Sequence, residues 1–391
     1  MSRLLIPTGS YSYSKLKVIH YGPGSISQLP ETLQKLGTTR ALILTGKSVS
    51  KSAVFEDTSK ALGSAHVASF TDIGQHTPIA GIKAALELLK EKNADVIVAL
   101  GGGSPIDAAK AISYYRNEST GAGFLKIVAV PTTLSAAEYT MNAGYTNEEG
   151  NKVSVNSPEL CPDAVVLDAN LTIHTPERLW LSTGVRALDH AVEALYRSPP
   201  SPFPIVESSL SAIPLLFENL LKCKRDPSNV DVRYKLQLAS YLSLAPNPRA
   251  GALGLSHSLG HKLGATYQIP HGITSCLTLS KSVALTARST DPYSQANLAR
   301  AVRRLKSEAE VLPSFDVASL DKEPEASKGG AILAGYIDAL VGELGLGNSL
   351  EQWKVPKSDL EGIAKMMEKG GLAGGDKQPS VAQIHEVLSS I

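Results

Sequence analysis

As far as about residue 168 the chain alternates short apolar runs with stretches of helical period. "RALILTG" (40–46), "AHVASF" (65–70), "ADVIVALG" (94–101) and "LKIVAVP" (125–131) are near-continuously apolar and bounded by Gly, Pro or charge, which predicts strands buried on both faces. Between them "QLPETLQKLG", "AGIKAALELLKEK" and "SPIDAAKAISYY" repeat apolar residues three and four apart, as helices do. The alternation predicts a parallel α/β sheet covered on both faces. From about 138 to 168 the pattern becomes a hairpin turning at Glu148–Asn151, followed by a strand "AVVLD" (164–168). Beyond "TIHTPERL" strand signals stop, and residues 179–391 are helical in period. Pro- and Gly-rich turns such as "RSPPSPFP" (197–204) and "APNPRAG" (245–251) punctuate them, and "KGGLAGGDKQP" (369–379) reads as a loop. The pattern predicts an α/β domain over 1–178 and an all-α domain over 179–391, with a cleft between them.

A length of 391 residues agrees with two domains of ordinary size. With 38 basic and 37 acidic residues, no overall field draws the chain to nucleic acid or to an anionic membrane. The first 22 residues carry no long apolar segment, so neither a secretory signal nor a membrane anchor is expected and the expected location is the cytoplasm. Cys161, Cys223 and Cys276 are odd in number and far apart, as free thiols in a reducing compartment are.

Chemistry first enters at "VIVALGGGSPIDAAK" (96–110), a buried strand that runs through Gly101, Gly102 and Gly103 into Ser104 and a helix with Pro105 expected at its first position. Glycines admit a ligand close to the backbone, and the following helix offers free N–H groups and a positive dipole end, a physical site for a pyrophosphate. The turn is neither G-x-G-x-x-G nor the Walker pattern. Asp107 either complements the helix dipole or orients the loop. Thr132, Thr133 and Ser135, at the end of the strand "LKIVAVP", are expected on the same sheet edge if the two strands are close.

In "STGVRALDHAVEALY" (182–196) Ser182 or Thr183 reads as a helix cap, and Arg186 and His190 fall four apart on one face. "GLSHSLGHKLGATYQIPHG" (254–272) holds His257 and His261, again four apart, and His271 after a proline. Three of nine histidines within fifteen residues, among Gly, Ser and Leu, point to ligands or proton carriers rather than a solvated face.

These motifs, with "YGPGSISQLPE", "VPTT", "LDANLTIHTPERL" and "DKQPSVAQIHEVL", resemble the iron-containing (group III) alcohol dehydrogenases over nearly the whole chain. The resemblance implies a Rossmann-like nicotinamide-cofactor domain, an all-helical second domain and hydride transfer in the cleft, with a homodimer as the family assembly. It implies that Gly101, Gly102, Gly103 and Ser104 take the pyrophosphate and that Thr132 and Thr133 flank the adenine or nicotinamide. Metal-dependent members hold a divalent ion with one aspartate and three histidines. His190, His257 and His271 match the histidines and would be the ligands if an ion bound, while His261 matches a histidine near the nicotinamide.

The aspartate position is Arg186 here. At about 5 Å a guanidinium repels a divalent ion by several kcal/mol in a partly dry site, and it never becomes a ligand. No metal is therefore expected, and Arg186, His190, His257, His261 and His271 are the expected catalytic set. "GVRALDHAVEALY" fits the R-x-x-D-H form of the maleylacetate reductase branch, as does "QHTP" (75–78); Ala136 and Ala137 before Glu138, and "GITSC" after "PH", depart from it. The expected activity is reduction of a small oxo-acid or enone by NADPH or NADH without a metal. Two alternatives stand beside it: a metal-dependent alcohol dehydrogenase, and the family fold recruited to a non-redox step. After the second strand Gly46, Lys47 and Ser48 offer no acid for a ribose, which leans the cofactor toward NADPH.

Overall fold

The computed structural model describes residues 6–8, 11–244, 254–320, 324–369 and 379–391; "APNPRAG" and almost all of "KGGLAGGDKQP" lie outside them. Six parallel strands form one sheet: β1 (Val18–Tyr21), β2 (Ala41–Leu44), β3 (His66–Phe70), β4 (Val96–Gly101), β5 (Lys126–Pro131) and β8 (Ala164–Leu167), in the order β1-β8-β5-β4-β2-β3. An antiparallel hairpin, β6 (Asn142–Thr146) and β7 (Lys152–Asn156), stands apart from it. Side chains alternate across the strands. Ile43, Val98, Val128 and Val166 meet helices α1 (Leu29–Leu36) and α2 (Ala53–Leu62) on one face. Leu42, Ile97, Ala129 and Val165 meet α3 (Ile79–Glu91) and α4 (Gly103–Thr120) on the other. Burial on both faces is why these strands read as unbroken apolar runs. The edge strand β1, half-buried and ending in His20 and the exposed Tyr21, lacks that signal and escapes the sequence reading, as α2 does.

Among the described residues the remainder is helical: α5 (Glu177–Glu193), α6 (Phe203–Arg225), α7 (Val230–Ser243), α8 (Leu255–Tyr267), α9 (His271–Ala287), α10 (Pro292–Glu308), α11 (Glu325–Glu343), α12 (Leu360–Lys369) and α13 (Val381–Ser389). They share one large apolar core, with α5 packed between α6, α7 and α9. Helix α5 begins at Glu177 behind Pro176, so Ser182 and Thr183 do not cap it. They lie in its second turn, where Ser182 Oγ donates to Leu179 O and Thr183 Oγ1 to Leu179 O and Trp180 O. The start signal is the proline and first-turn acid, five residues upstream of the hydroxyl pair.

The two parts are tied at defined points. Leu134 N donates to Thr183 Oγ1 and Ser240 Oγ donates to Leu134 O, pinning the turn after β5 to α5 and α7. Arg233 on α7 stacks over Trp180 of α5, and its Nη1 donates to Thr172 O in the short turn after β8. The guanidinium so fixes the link between sheet and bundle.

Candidate active site

The chain runs outward from β2 to β3 and returns to β4 on the other side of β2, so the turns after β2 and β4 part at the sheet's carboxyl edge and leave a crevice. Its floor is made of glycines. Gly101 has φ +134°, a Cβ on Gly102 would stand 3.1 Å from Thr133 Cγ2, and one on Gly103 would stand 3.4 Å from Ser135 Oγ. The glycines thus let the turn after β4 lie against Thr133 and Ser135, while Thr132 N donates to Gly101 O across the adjacent strand ends. Helix α4 opens at Gly103, which puts Pro105 two residues inside it. On the other wall a Cβ on Gly46 would meet Ile73 O at 3.0 Å, and Lys47 Nζ lies 2.9 Å from Asp72 Oδ1, both side chains exposed. The loop after β3 thus sets an acid beside Lys47.

Asp107 serves neither the dipole nor the glycine turn. It lies beyond the first turn of α4 and faces the hairpin: Oδ2 accepts from Gly144 N (3.4 Å) and Oδ1 is 3.6 Å from Lys110 Nζ. Burial pushes its carboxyl up to about 6, against the Lys110 charge. Lys110 is fully buried and donates to Ala137 O, Thr140 Oγ1 and Asn142 O, fastening the segment behind Thr132–Ser135. Beside it Glu138, 1% exposed, is pushed by burial up to about 7. Ala136 occupies the left-handed region at φ +60°, a conformation glycine would adopt without strain.

Across the crevice α5, α8 and α9 bring the histidines together. His190 and His257 stack with ring centroids 4.8 Å apart, His261 and His271 stand 5.6 Å apart, and His76 meets His271 edge-on at 6.0 Å. The sequence reading missed two partners. Glu193 Oε2 lies 2.8 Å and Asp189 Oδ1 3.2 Å from His257 Nδ1. Asp189 Oδ2 accepts from Ser256 Oγ (2.9 Å) and Ser275 Oγ (2.6 Å), and Glu193 Oε1 accepts from Ser256 N (2.7 Å). Arg186 Nη1 donates to the same Ser275 Oγ and lies 3.7 Å from Asp189 Oδ2. The signal was present: Asp189 sits in R-x-x-D-H, and Glu193 follows four residues later on one helix face.

Burial and the Arg186 charge push the His257 imidazole down, but the two carboxylates prevail and hold it above its ordinary value. Burial raises Asp189 too, yet His257 and Arg186 bring it below the usual range. Burial, then the charge of His257 and Arg186, drives His190 far down; burial and Arg186 do the same to His271, and bring His261 to about 3. His190 Nδ1, His257 Nε2 and His271 Nδ1 are buried without a hydrogen-bond partner among the described residues. Such nitrogens are costly to bury unless something outside the chain meets them.

The residues fit a dinucleotide: the cradle excludes a Cβ, opens on a helix N-terminus and lies where the strand order reverses. The fit to a divalent ion is poor. The ring nitrogens of His190, His257 and His271 do not gather with each other; among the described residues only Asp189, Glu193 and His257 bring ligand atoms within 4.8 Å of one another. Of those atoms, Glu193 Oε2 already pairs with His257 Nδ1 and Asp189 Oδ2 accepts from two serines, while Asp189 Oδ1 is buried without a hydrogen-bond partner among the described residues. Arg186 adds a permanent positive charge beside this group, and burial, then the Asp189 charge, push the Glu193 carboxyl upward.

A crevice at a sheet's switch point, faced by a helical bundle bearing basic side chains, is built for a dinucleotide beside a second ligand. Residues 17–169 match the iron-containing alcohol dehydrogenase model and 180–391 the C-terminal model of the Fe-containing alcohol dehydrogenase family, and the chain belongs to that family. It is 30% identical over 369 residues to the dehydrogenase ALT3 of Alternaria alternata, covering 85% of this chain and 93% of the relative. It is also 30% identical to the maleylacetate reductase of a Rhizobium species, covering 70% and 74%. The crystal structure of maleylacetate reductase from Agrobacterium tumefaciens superposes with a TM-score of 0.79 at 25% identity, covering 98% of each chain. The protein is an NAD(P)-dependent oxidoreductase.

Proposed function

We propose that the enzyme reduces a small oxo-acid or enone with NADPH or NADH and without a metal, in the manner of a maleylacetate reductase. The observation that carries this reading is Arg186, which meets the carboxylate network of α5 from a place where a divalent ion would need an anion. Gly101, Gly102, Gly103 and Ser104 hold the cofactor phosphates, with Thr132, Thr133 and Ser135 on one side and Gly46 and Lys47 on the other. When bound, the cofactor supplies a hydride to the carbonyl carbon or the activated alkene. Arg186 steadies the negative charge that gathers on the substrate oxygen, as a preorganised donor does. His257, its Nδ1 clamped by Asp189 and Glu193, presents Nε2–H as the proton source. His190, His261 and His271, kept neutral by burial and neighbouring charge, each keep one ring N–H to donate to the substrate's oxygens. The reading includes the division at 178/179, a cytoplasmic location and a homodimer; among the described residues no helix is long and apolar enough to cross a membrane.

Oxidation of NADPH in the presence of maleylacetate tests the reading. Turnover that persists in excess EDTA supports it, and loss of turnover that iron or zinc restores overturns the metal-free part. The buried Asp189, Glu193 and His257 group favours a second reading, an ion held there in place of the shared proton. Elemental analysis of the isolated protein, giving about one ion per chain if the second reading holds, separates the two.

A further inference from the structure

Part of the cleft wall comes from the α/β half and has so far had no task. Lys152, at the start of β7, reaches across to the bundle, where its Nζ donates to Gly264 O on α8 (3.1 Å). Gly264 packs on the His271 ring: a Cβ there would stand 3.6 Å from its Cε1 and Nδ1. Against the same ring lies the edge of His76. His76 and Thr77 form a bend at φ +62° and +52°, two consecutive non-glycine residues in the left-handed region. Such a pair persists only where its surroundings impose it. Here they do: Thr146 Oγ1 donates to His76 O, Thr146 N donates to Thr77 O, and Thr77 Oγ1 donates to Ser104 O in the glycine turn. The bend therefore links hairpin, glycine turn and His271.

The polar groups around this point are cations and imidazoles, the latter offering ring N–H donors. The groups acting most strongly on His271 are Arg186, Lys152, His261 and His76, and those acting on His261 are Arg186, His257, Lys152 and Lys262. All are cations or bases. The carboxylates of α5 are already engaged by His257, Ser256 and Ser275. A cleft lined by one sign of charge, with half-buried walls, concentrates ligands of the other sign.

We infer that Lys152 and His76 form a second anion-recognition end of the cleft, which takes a carboxylate of the substrate while Arg186 serves the reacting end. This rests on the reading of the site as an oxo-acid reductase, and it makes the hairpin a determinant of specificity. An oxyanion at this point has two possible sources, a substrate carboxylate and a cofactor phosphate, and the inference commits to the first.

The test is binding of succinate, a dicarboxylate with nothing to reduce, measured by titration calorimetry on the full chain with and without NADPH. Because no turnover is needed, the result stands even if no carbonyl substrate is reduced, which would count against the reductase reading alone. Lys152→Met is expected to weaken succinate about tenfold, the loss of one charge-assisted hydrogen bond, and Lys152→Arg to stay within about threefold. His76→Phe, which keeps a ring against His271 without a donor, is expected to weaken it about threefold. NADPH affinity should hold in all three, which also reports that they fold. The inference is overturned if wild-type protein does not bind succinate, if Lys152→Met binds it unchanged, or if NADPH affinity falls in step, which would give Lys152 to the cofactor phosphates.

Discussion

At the scale of single residues, the guanidinium of Arg186 decides what kind of chemistry the histidines can do. Burial depresses His190, His261 and His271 and the Arg186 charge adds to it at each, while the carboxylates of Asp189 and Glu193 prevail over both at His257. Arg186→Asp should lower kcat/KM for the oxo-acid about a hundredfold or more, the usual cost of removing a preorganised oxyanion donor, and should leave the residue insensitive to chelator. Full metal-free activity in that variant would show that the substrate oxygen is met elsewhere. Glu138 gives a second test, of stability. Its carboxyl is raised from 4.5 to about 7, so the neutral form is the one the fold prefers. Below the unfolded value both states are protonated and the group is silent. As pH rises through 4.5 the unfolded chain ionises first, so the folded state loses stability progressively until about 7 and the penalty stays constant above it. Glu138→Gln should therefore match wild type near pH 4.5 and be more stable by up to about 3 kcal/mol at pH 8. Denaturant midpoints compared across that range check it; a pH-independent difference would mean that Lys110 keeps the carboxylate charged.

At the scale of elements, the site is made where two turns touch, and their contact depends on absent side chains. Gly102→Ala places a methyl 3.1 Å from Thr133 Cγ2, so the turns after β4 and β5 must separate by a few tenths of an ångström. Overpacking of this kind costs on the order of 1–3 kcal/mol. Because the displaced atoms form the phosphate cradle, fluorescence titration should show NADPH affinity down about tenfold with a fall in Tm of only a few degrees. Unchanged affinity would put the phosphates in another place. The same element view explains what was legible beforehand. Strands β2, β4, β5 and β8 announce themselves because burial on both faces forces apolar runs; the half-buried edge strand β3 is legible from Val67, Ala68 and Phe70, and the hairpin from its turn at Gly150 and Asn151. Strand β1 has neither property, being half-buried and ending in His20 and the exposed Tyr21. The histidines could be read from spacing within α5 and α8, since four residues return to one face. The carboxylate clamp on His257 could not be read in full, because it joins α5 to α8 across 64 residues of sequence. Lys152 was illegible for the same reason: its meaning lies in a bond to Gly264, 112 residues away.

At the scale of the whole molecule, the question is whether an ion contributes to holding the two halves together. Any ligand bound by the native state alone adds RT ln(1 + [L]/Kd) to its stability, about 4 kcal/mol at a thousandfold excess over Kd. A resident iron or zinc between α5, α8 and α9 would thus be visible as several degrees of Tm, lost on chelation, with no assay of activity. The structure gives the helices other means of cohesion. Their faces share one apolar core, and at the polar seam Arg186 and His257 stand against Asp189 and Glu193, with two serine hydroxyls on Asp189 Oδ2. Arg186 lies 3.7 Å from Asp189, and His257 lies 3.2 Å from Asp189 and 2.8 Å from Glu193, so the helices are joined through direct side-chain pairs. Dialysis against EDTA should accordingly leave Tm within about 1 °C of the untreated protein, and added zinc or ferrous iron should not raise it. NADPH, contacting the crevice between the turns after β2 and β4 beneath the bundle, should raise Tm by several degrees at saturating concentration. A chelator-induced fall in Tm, reversed by one equivalent of metal per chain, would assign the Asp189, Glu193 and His257 group to an ion and remove Arg186 from the centre of the mechanism.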